Sequence, residues 1–312
     1  MAYRRKYSSS RGGRRTARTG RSSRPLRRNY PRGKSTYRRT RKTSRPISKK
    51  RILNTTSRKK RNGMLTWSNT TAAGLSRPTA IGNAYVSANN VGVFVFSPTA
   101  MHLDSDSLLR NTAARTASTI YAKGISEKVR IQTSSGVPWF HRRVCFTLKG
   151  NTSFNTVQTG DTPTVSWAPY VDTTNGMERL MLNEDVNNMA ITLGAQYSLL
   201  FKGVQGVDWN DTIIAPLDTA RVTVKFDKTW TYQSGNNNGI VRERKLWHPM
   251  NHNLVYDDDE NGENMVTSYF SVDSKAGMGD YYIVDFFQAG QGGGSADLIS
   301  INLNSTMYWH EK

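Results

Sequence analysis

RVTVKFDKTWTY, Arg221–Tyr232, is the stretch on which the fold turns. Its even positions carry Val222, Val224, Phe226, Trp230 and Tyr232, broken only by Lys228. Arg221, Thr223, Lys225, Asp227, Thr229 and Thr231 take the odd ones. Successive side chains of a strand point to opposite faces, so a period of two marks a strand with one face on a core and one on a polar surface. The period returns in Leu298–His310, where Ile299, Ile301, Leu303, Met307 and Trp309 alternate with Ser300, Asn302, Asn304 and Thr306. Working outward, further strands are expected at Met64–Asn69, Val91–Ser97, Thr116–Thr133, Trp139–Leu148, Val241–Tyr256 and Asp280–Gln288, about eight in all. Turn-rich runs such as Ser234–Gly239 and Gly290–Gly294 separate them. Short helices are expected only at Leu103–Arg110 and Glu178–Asn188, with Asn175-Gly176 as a turn before the second. No strand–helix alternation points to a parallel sheet. The expected fold is all-β: an eight-stranded antiparallel jelly-roll sandwich with few short helices.

Charge divides the chain. Residues 1–61 hold 25 of its 44 Lys and Arg and no acid; the first acidic residue is Asp104. Everything beyond Arg61 carries the other 19 basic and all 23 acidic residues, a net charge of about −4. The formal net charge of +21 therefore originates in the first fifth of the chain. That segment is rich in Arg, Ser, Thr, Gly, Tyr and Lys, and it cannot bury enough apolar surface to offset the entropy of ordering. It is expected to be a disordered arm over residues 1–61, followed by one folded domain, the sandwich, over 62–312.

Paired bases recur along the arm at Arg4-Arg5-Lys6, Arg14-Arg15, Arg27-Arg28, Arg38-Arg39 and Arg41-Lys42. Each base that meets a phosphate releases a counterion, which gives affinity without sequence preference. Tyr30 and Tyr37, with Tyr3 and Tyr7, add rings that stack on unpaired bases and so favour single strands. Lys49-Lys50-Arg51 and Arg58-Lys59-Lys60-Arg61 form a bipartite pattern of the nuclear-import type, which implies a host import receptor as partner.

The search for chemistry is largely negative. Gly33-Lys34-Ser35 lacks the glycine of a phosphate-binding loop, because Arg28 stands in its place. Cys145 is the one cysteine, so no disulfide forms within the chain, and it is expected in the core. Asp257, Asp258, Asp259 and Glu260 offer carboxylates to a hard cation but lack EF-hand spacing, so an acidic loop is the simpler expectation. His248 and His252 are separated by Pro249, which rules out the helix that would align them on a metal. In His141-Arg142-Arg143, alternation sends Arg142 to one face and its two neighbours to the other, where one face would meet nucleic acid, a second subunit or solvent. No catalytic constellation emerges: no enzyme activity, cofactor or metal is expected. No stretch approaches 18 apolar residues and no hydrophobic signal core opens the sequence, so neither a membrane span nor secretion by that route is expected.

The opening Met1-Ala2-Tyr3-Arg4-Arg5-Lys6 and the junction Ile52–Leu65 (ILNTTSRKKRNGML) resemble capsid proteins of genomoviruses, the gemycircularvirus-like circular single-stranded DNA viruses. Leu246–Tyr256 (LWHPMNHNLVY) and the closing pair Asp280–Gln288 and Ser300–Glu311 resemble strands of the related geminivirus coat proteins. No Cys/His cluster like that invoked for DNA binding by geminivirus coat proteins is found, so no metal site is carried over. The resemblance implies a coat protein that self-assembles into a T=1 icosahedral shell of 60 copies, packages circular single-stranded DNA, and passes through the host nucleus on its way to the virion. A coat protein of a small RNA virus and a cellular basic nucleic-acid-binding module are the alternatives. The second would have a basic globular part, unlike this one.

Overall fold

Where one face of a strand is polar and the other apolar, the chain alternates; where both faces are covered, it does not. Both patterns are present. In the computed structural model, which describes residues 47–104 and 113–312, helix α1 (Lys49–Thr56) leads into β1 (Arg58–Thr70), β2 (Ser76–Ile81), β3 (Ala84–Ser87), β4 (Gly92–Phe96) and β5 (Thr119–Thr133). Next come β6 (Trp139–Leu148), β7 (Val171–Thr173), β8 (Gly176–Met181) and helix α2 (Ala190–Leu200). The chain continues through β9 (Thr223–Tyr232), β10 (Val241–Val255), β11 (Asp259–Asn261), β12 (Asn264–Val266), β13 (Asp280–Ala289) and β14 (Leu298–Glu311).

All eight expected strands are present: β1, β4, β5, β6, β9, β10, β13 and β14. They pair antiparallel as β1 with β14, β4 with β13, β5 with β10 and β6 with β9, and the pairs β14–β5 and β13–β6 join them into two sheets. The large sheet runs β10-β5-β14-β1-β8-β7, with β2 on β1 and β3 on β14; the small one runs β4-β13-β6-β9. One strand pairing is parallel, β1 with β8.

Two expectations need correction. Glu178–Met181 is strand, not helix: Met177–Met181 is buried throughout and pairs with Thr66–Ser68 of β1. Sheet pairing here outweighs the helix preference of Met, Glu, Arg and Leu. The helix forms later, at α2, whose first turn has no capping side chain of its own. Asp161 supplies the cap from a distant loop, accepting from the Ile191 and Thr192 amides at 3.0 and 2.6 Å. The boundary at Arg61 also moves, because β1 begins at Arg58 and pairs with β14 from the register Arg58↔Glu311. The other expected helix, Leu103–Arg110, falls mostly outside the described residues.

The core lies between the sheets, built from Val93, Val95, Ile125, Val144, Phe146, Ile283 and Trp309, with a second cluster around Trp139, Ile299 and Ile301. β13 is buried on both faces, which explains why DYYIVDFFQA lacks the apolar–polar alternation of β9 and β14. On its outer side α2 and its C-terminal Phe201 pack against it, with the Tyr197 and Phe201 rings 6.2 and 5.7 Å from Phe286. The outer side of the large sheet, in contrast, carries exposed polar side chains.

Candidate nucleic-acid interface

The arm residues read as phosphate and base contacts, from Arg4 to Lys42 with Tyr30 and Tyr37, lie outside the described residues. The import-type cluster is partly described. Lys49 and Arg51 are exposed on α1, which Ser48 caps by accepting from the Arg51 amide. Along β1 the strand period separates the remaining four. Arg58, Lys59 and Arg61 are exposed, whereas Lys60 turns inward. Its ammonium meets Glu311 at 2.9 Å and donates to the Ala114 carbonyl and the Thr116 hydroxyl at 2.9 and 2.7 Å. Lys60 is thus a buried structural cation, committed to the last strand rather than presented to a receptor.

The outer side of the large sheet assembles a basic surface that linear reading missed. β1 contributes Lys59 and Arg61, β5 contributes Lys123, Lys128 and Arg130, and β10 contributes Lys245, all exposed. Register sets Lys245 beside Lys128, and Lys128 beside Asn304. Among the described residues, Glu243 is the one acid on the outward side of these strands, and it pairs with Arg130 at 2.8 Å. Aromatic rings interleave: Trp247 on β10, Tyr121 on β5, and Tyr308 and His310 on β14. Two irregularities in register meet beside Gly124, between Pro249 and His252 and between Tyr308 and Trp309. The sequence signal that was available is the polar phase of β5, where Tyr121, Lys123, Lys128 and Arg130 alternate with buried residues.

The remaining candidates are structural. Asp258 does not join a cation site; its fully buried carboxylate takes both nitrogens of the Arg115 fork at 2.5 and 2.9 Å. Arg115 stacks 3.7 Å over Tyr256 and donates to the Met101, Ala117 and Ser268 carbonyls. Burial works against ionisation of Asp258, and the Arg115 hydrogen bonds hold it below the ordinary range. Asp257, just before the β11–β12 hairpin, and Asp259 and Glu260, on β11, are exposed, and no group of three metal-ligating side chains forms among the described residues.

His141 and Arg143 do share a face opposite Arg142, and all three side chains are buried within the chain. Arg142 is buried against Asp227 at 2.8 Å and the Thr212 and Ala215 carbonyls. Arg143 enters a charge network between the sheets with Asp285, Glu127 and Arg179. Asp285 accepts from Arg143 at 2.7 Å, from His141 at 2.8 Å and from Arg179 at 3.2 Å. Burial would raise the Glu127 carboxyl, but the two guanidiniums hold it down at about 2. Burial and the Arg143 charge press His248 down to about 4. Cys145 is buried, and burial pushes its thiol up to about 12, which makes it a core residue rather than a nucleophile. Among the described residues no helix is long and apolar enough to cross a membrane. No model of a known protein family matches the chain, and no curated protein is significantly similar to it.

Proposed function

We propose that the chain is a viral coat protein that packages circular single-stranded DNA in a small T=1 icosahedral shell of 60 copies, as the resemblance to genomovirus capsid proteins implies. The observation that carries the reading is the segregation of charge: 25 basic residues without one acid in residues 1–61, joined to a near-neutral β sandwich. So many like charges repel one another unless a polyanion neutralises them. Sixty arms would bring roughly 1,500 positive charges inside, which matches a single-stranded genome of about one to a few kilobases at near one-for-one neutralisation.

The winding supports a jelly roll of the kind such shells use. Numbered along the chain, the eight main strands pair first with eighth, second with seventh, third with sixth and fourth with fifth. A long antiparallel ribbon of four such pairs, rolled so that eighth meets third and seventh meets fourth, gives two four-stranded sheets of a double Greek key. No covalent chemistry is required. The arm neutralises phosphate, the sandwich closes the shell, and loops make subunit contacts. Import into the host nucleus through the basic cluster precedes assembly.

Electron microscopy of the purified full chain, with nuclease typing of protected contents, tests this. Uniform isometric particles holding DNase-sensitive single strands are expected. RNase-sensitive contents would transfer the assignment to an RNA-virus coat protein. A monodisperse monomer at all salt and pH values would overturn the shell reading in favour of a nucleic-acid-binding module.

A further inference from the structure

We propose that the outer face of the large sheet carries a stacking subsite for one unpaired base of a single DNA strand, with Trp247 as its platform, Tyr308 at its edge, and Lys59 and Lys123 receiving the neighbouring phosphates. The inference rests on the packaging reading and locates, on the shell domain itself, contacts that the arm alone would not order.

A cleft of about 350 Å³ opens on this face, lined by Lys59, Lys123, Ser126, Trp247, Tyr308 and His310. Trp247 is 47% exposed midway along β10, the edge strand of the large sheet, an unusual position for the largest apolar side chain. Its room is made by Gly124, which holds φ at +145°, a conformation that L side chains rarely adopt. A Cβ there would stand 2.9 and 3.0 Å from Cζ2 and Cη2 of the indole, so the ring rests against bare backbone. Trp247 and Tyr308 lie 6.0 Å apart at 59°, too tilted to stack on each other. The indole therefore keeps a face open, and a base stacked on it would meet the phenol edgewise.

Charge selects the ligand. Lys123 donates to the Asn251 side-chain oxygen at 2.7 Å, which positions the ammonium without neutralising it. Lys59 makes no ion pair among the described residues. Both cations line the cleft beside His310, whose proton affinity burial, Lys59 and Lys123 lower. No carboxylate lines the cleft, and Glu243 is engaged by Arg130. An open aromatic face beside unpaired ammoniums suits a base with its phosphates, and only a single strand offers its base faces freely. The face also includes the start of β1, where Lys59 stands beside His310.

The test uses the full chain and oligothymidylate, alongside an oligomer of equal length made of abasic deoxyribose phosphates. At about 0.5 M salt the arm's electrostatic share is suppressed and stacking is exposed. Trp247→Ala is expected to weaken oligothymidylate binding about tenfold and leave the abasic oligomer unaffected, while Trp247→Phe restores most of the loss. Photocrosslinking with iododeoxyuridine should label the peptide that contains Trp247. Lys59→Gln should weaken both oligomers alike. Crosslinks confined to residues 1–47, or an equal loss for both oligomers in Trp247→Ala, would overturn the subsite and leave the packaging reading standing. If Trp247→Ala abolishes particles while oligothymidylate still binds as before, the ring is a subunit contact and the subsite falls. Failure of the full chain to bind single strands at all would remove the packaging reading itself.

Discussion

Arg143 and Asp285, charged and buried between two sheets, stand where most proteins place leucine. Removing two charges from water is costly, and the network recovers that cost only because each carboxylate oxygen and each guanidinium edge has a partner. Glu184 is the counter-example. It is fully buried, its two carboxylate oxygens make no hydrogen bond, and only the Gln196 and Trp167 dipoles act to lower its proton affinity. Burial therefore raises its carboxyl from 4.5 to about 8. The unfolded chain releases this proton near 4.5 and the folded chain only near 8, so the unfolded state binds fewer protons between those values and stability falls as pH rises through the window. His248 has the opposite sign. Its folded value of about 4 lies below the ordinary 6.5, so the unfolded state binds more protons in between and stability falls as pH drops through that range. At their limits the effects are on the order of 5 kcal/mol for Glu184 and 3 kcal/mol for His248. Urea unfolding at several pH values separates them. Glu184→Gln should gain on the parent chain as pH climbs from 5 to 8, and His248→Gln should gain as pH drops from 6.5 to 4. A pH-independent difference for either variant would show that the group does not titrate with folding.

At the scale of elements, β1 ties the basic segment to the fold. Arg58–Arg61 pair with Tyr308–Glu311, and Lys60 reaches Glu311 through a buried ion pair. A chain starting at Ser48 keeps that register, whereas one starting at Asn62 loses four residue pairs and leaves Glu311 buried without its cation. Breaking a buried pair on one side costs about 3–5 kcal/mol, so the shorter chain should unfold at markedly lower urea than the longer one. Equal midpoints would mean that β1 begins, energetically, at Asn62. The same strand shows why the domain boundary was hard to read: RKKR looks like arm by composition, and only its partner strand, 237 or more residues later in the chain, reveals its alternation. β9 and β14 were legible because one face is polar, and β6 and β13 because turns bound their apolar runs. Helix α2 was not, since its cap comes from Asp161, 30 residues away. The basic sheet face was equally hidden: Lys59, Lys123, Lys245 and Tyr308 sit on four different strands, and register alone makes them neighbours.

Across the whole molecule, the net positive charge is concentrated in the first fifth of the sequence. The part beyond Arg61 sums to about −4, so copies of it would repel one another only weakly. On the packaging reading, the length of protected DNA is then set by arm charge more than by the shell domain. Replacing Arg14, Arg15, Arg27, Arg28, Arg38 and Arg39 with Gln removes six of the 25 positive charges while leaving every described residue unchanged. Assembled particles of this variant should protect roughly a quarter less single-stranded DNA than those of the parent chain, measured as nuclease-resistant nucleotides per copy of protein. Their particle diameter should not change, because the strands and loops that would form the shell are untouched. Protected length that stays constant at constant diameter would mean that interior volume, rather than neutralisation, limits the contents. In that case the arm would serve capture of the strand, and the basic face of the large sheet would carry a larger part of its retention.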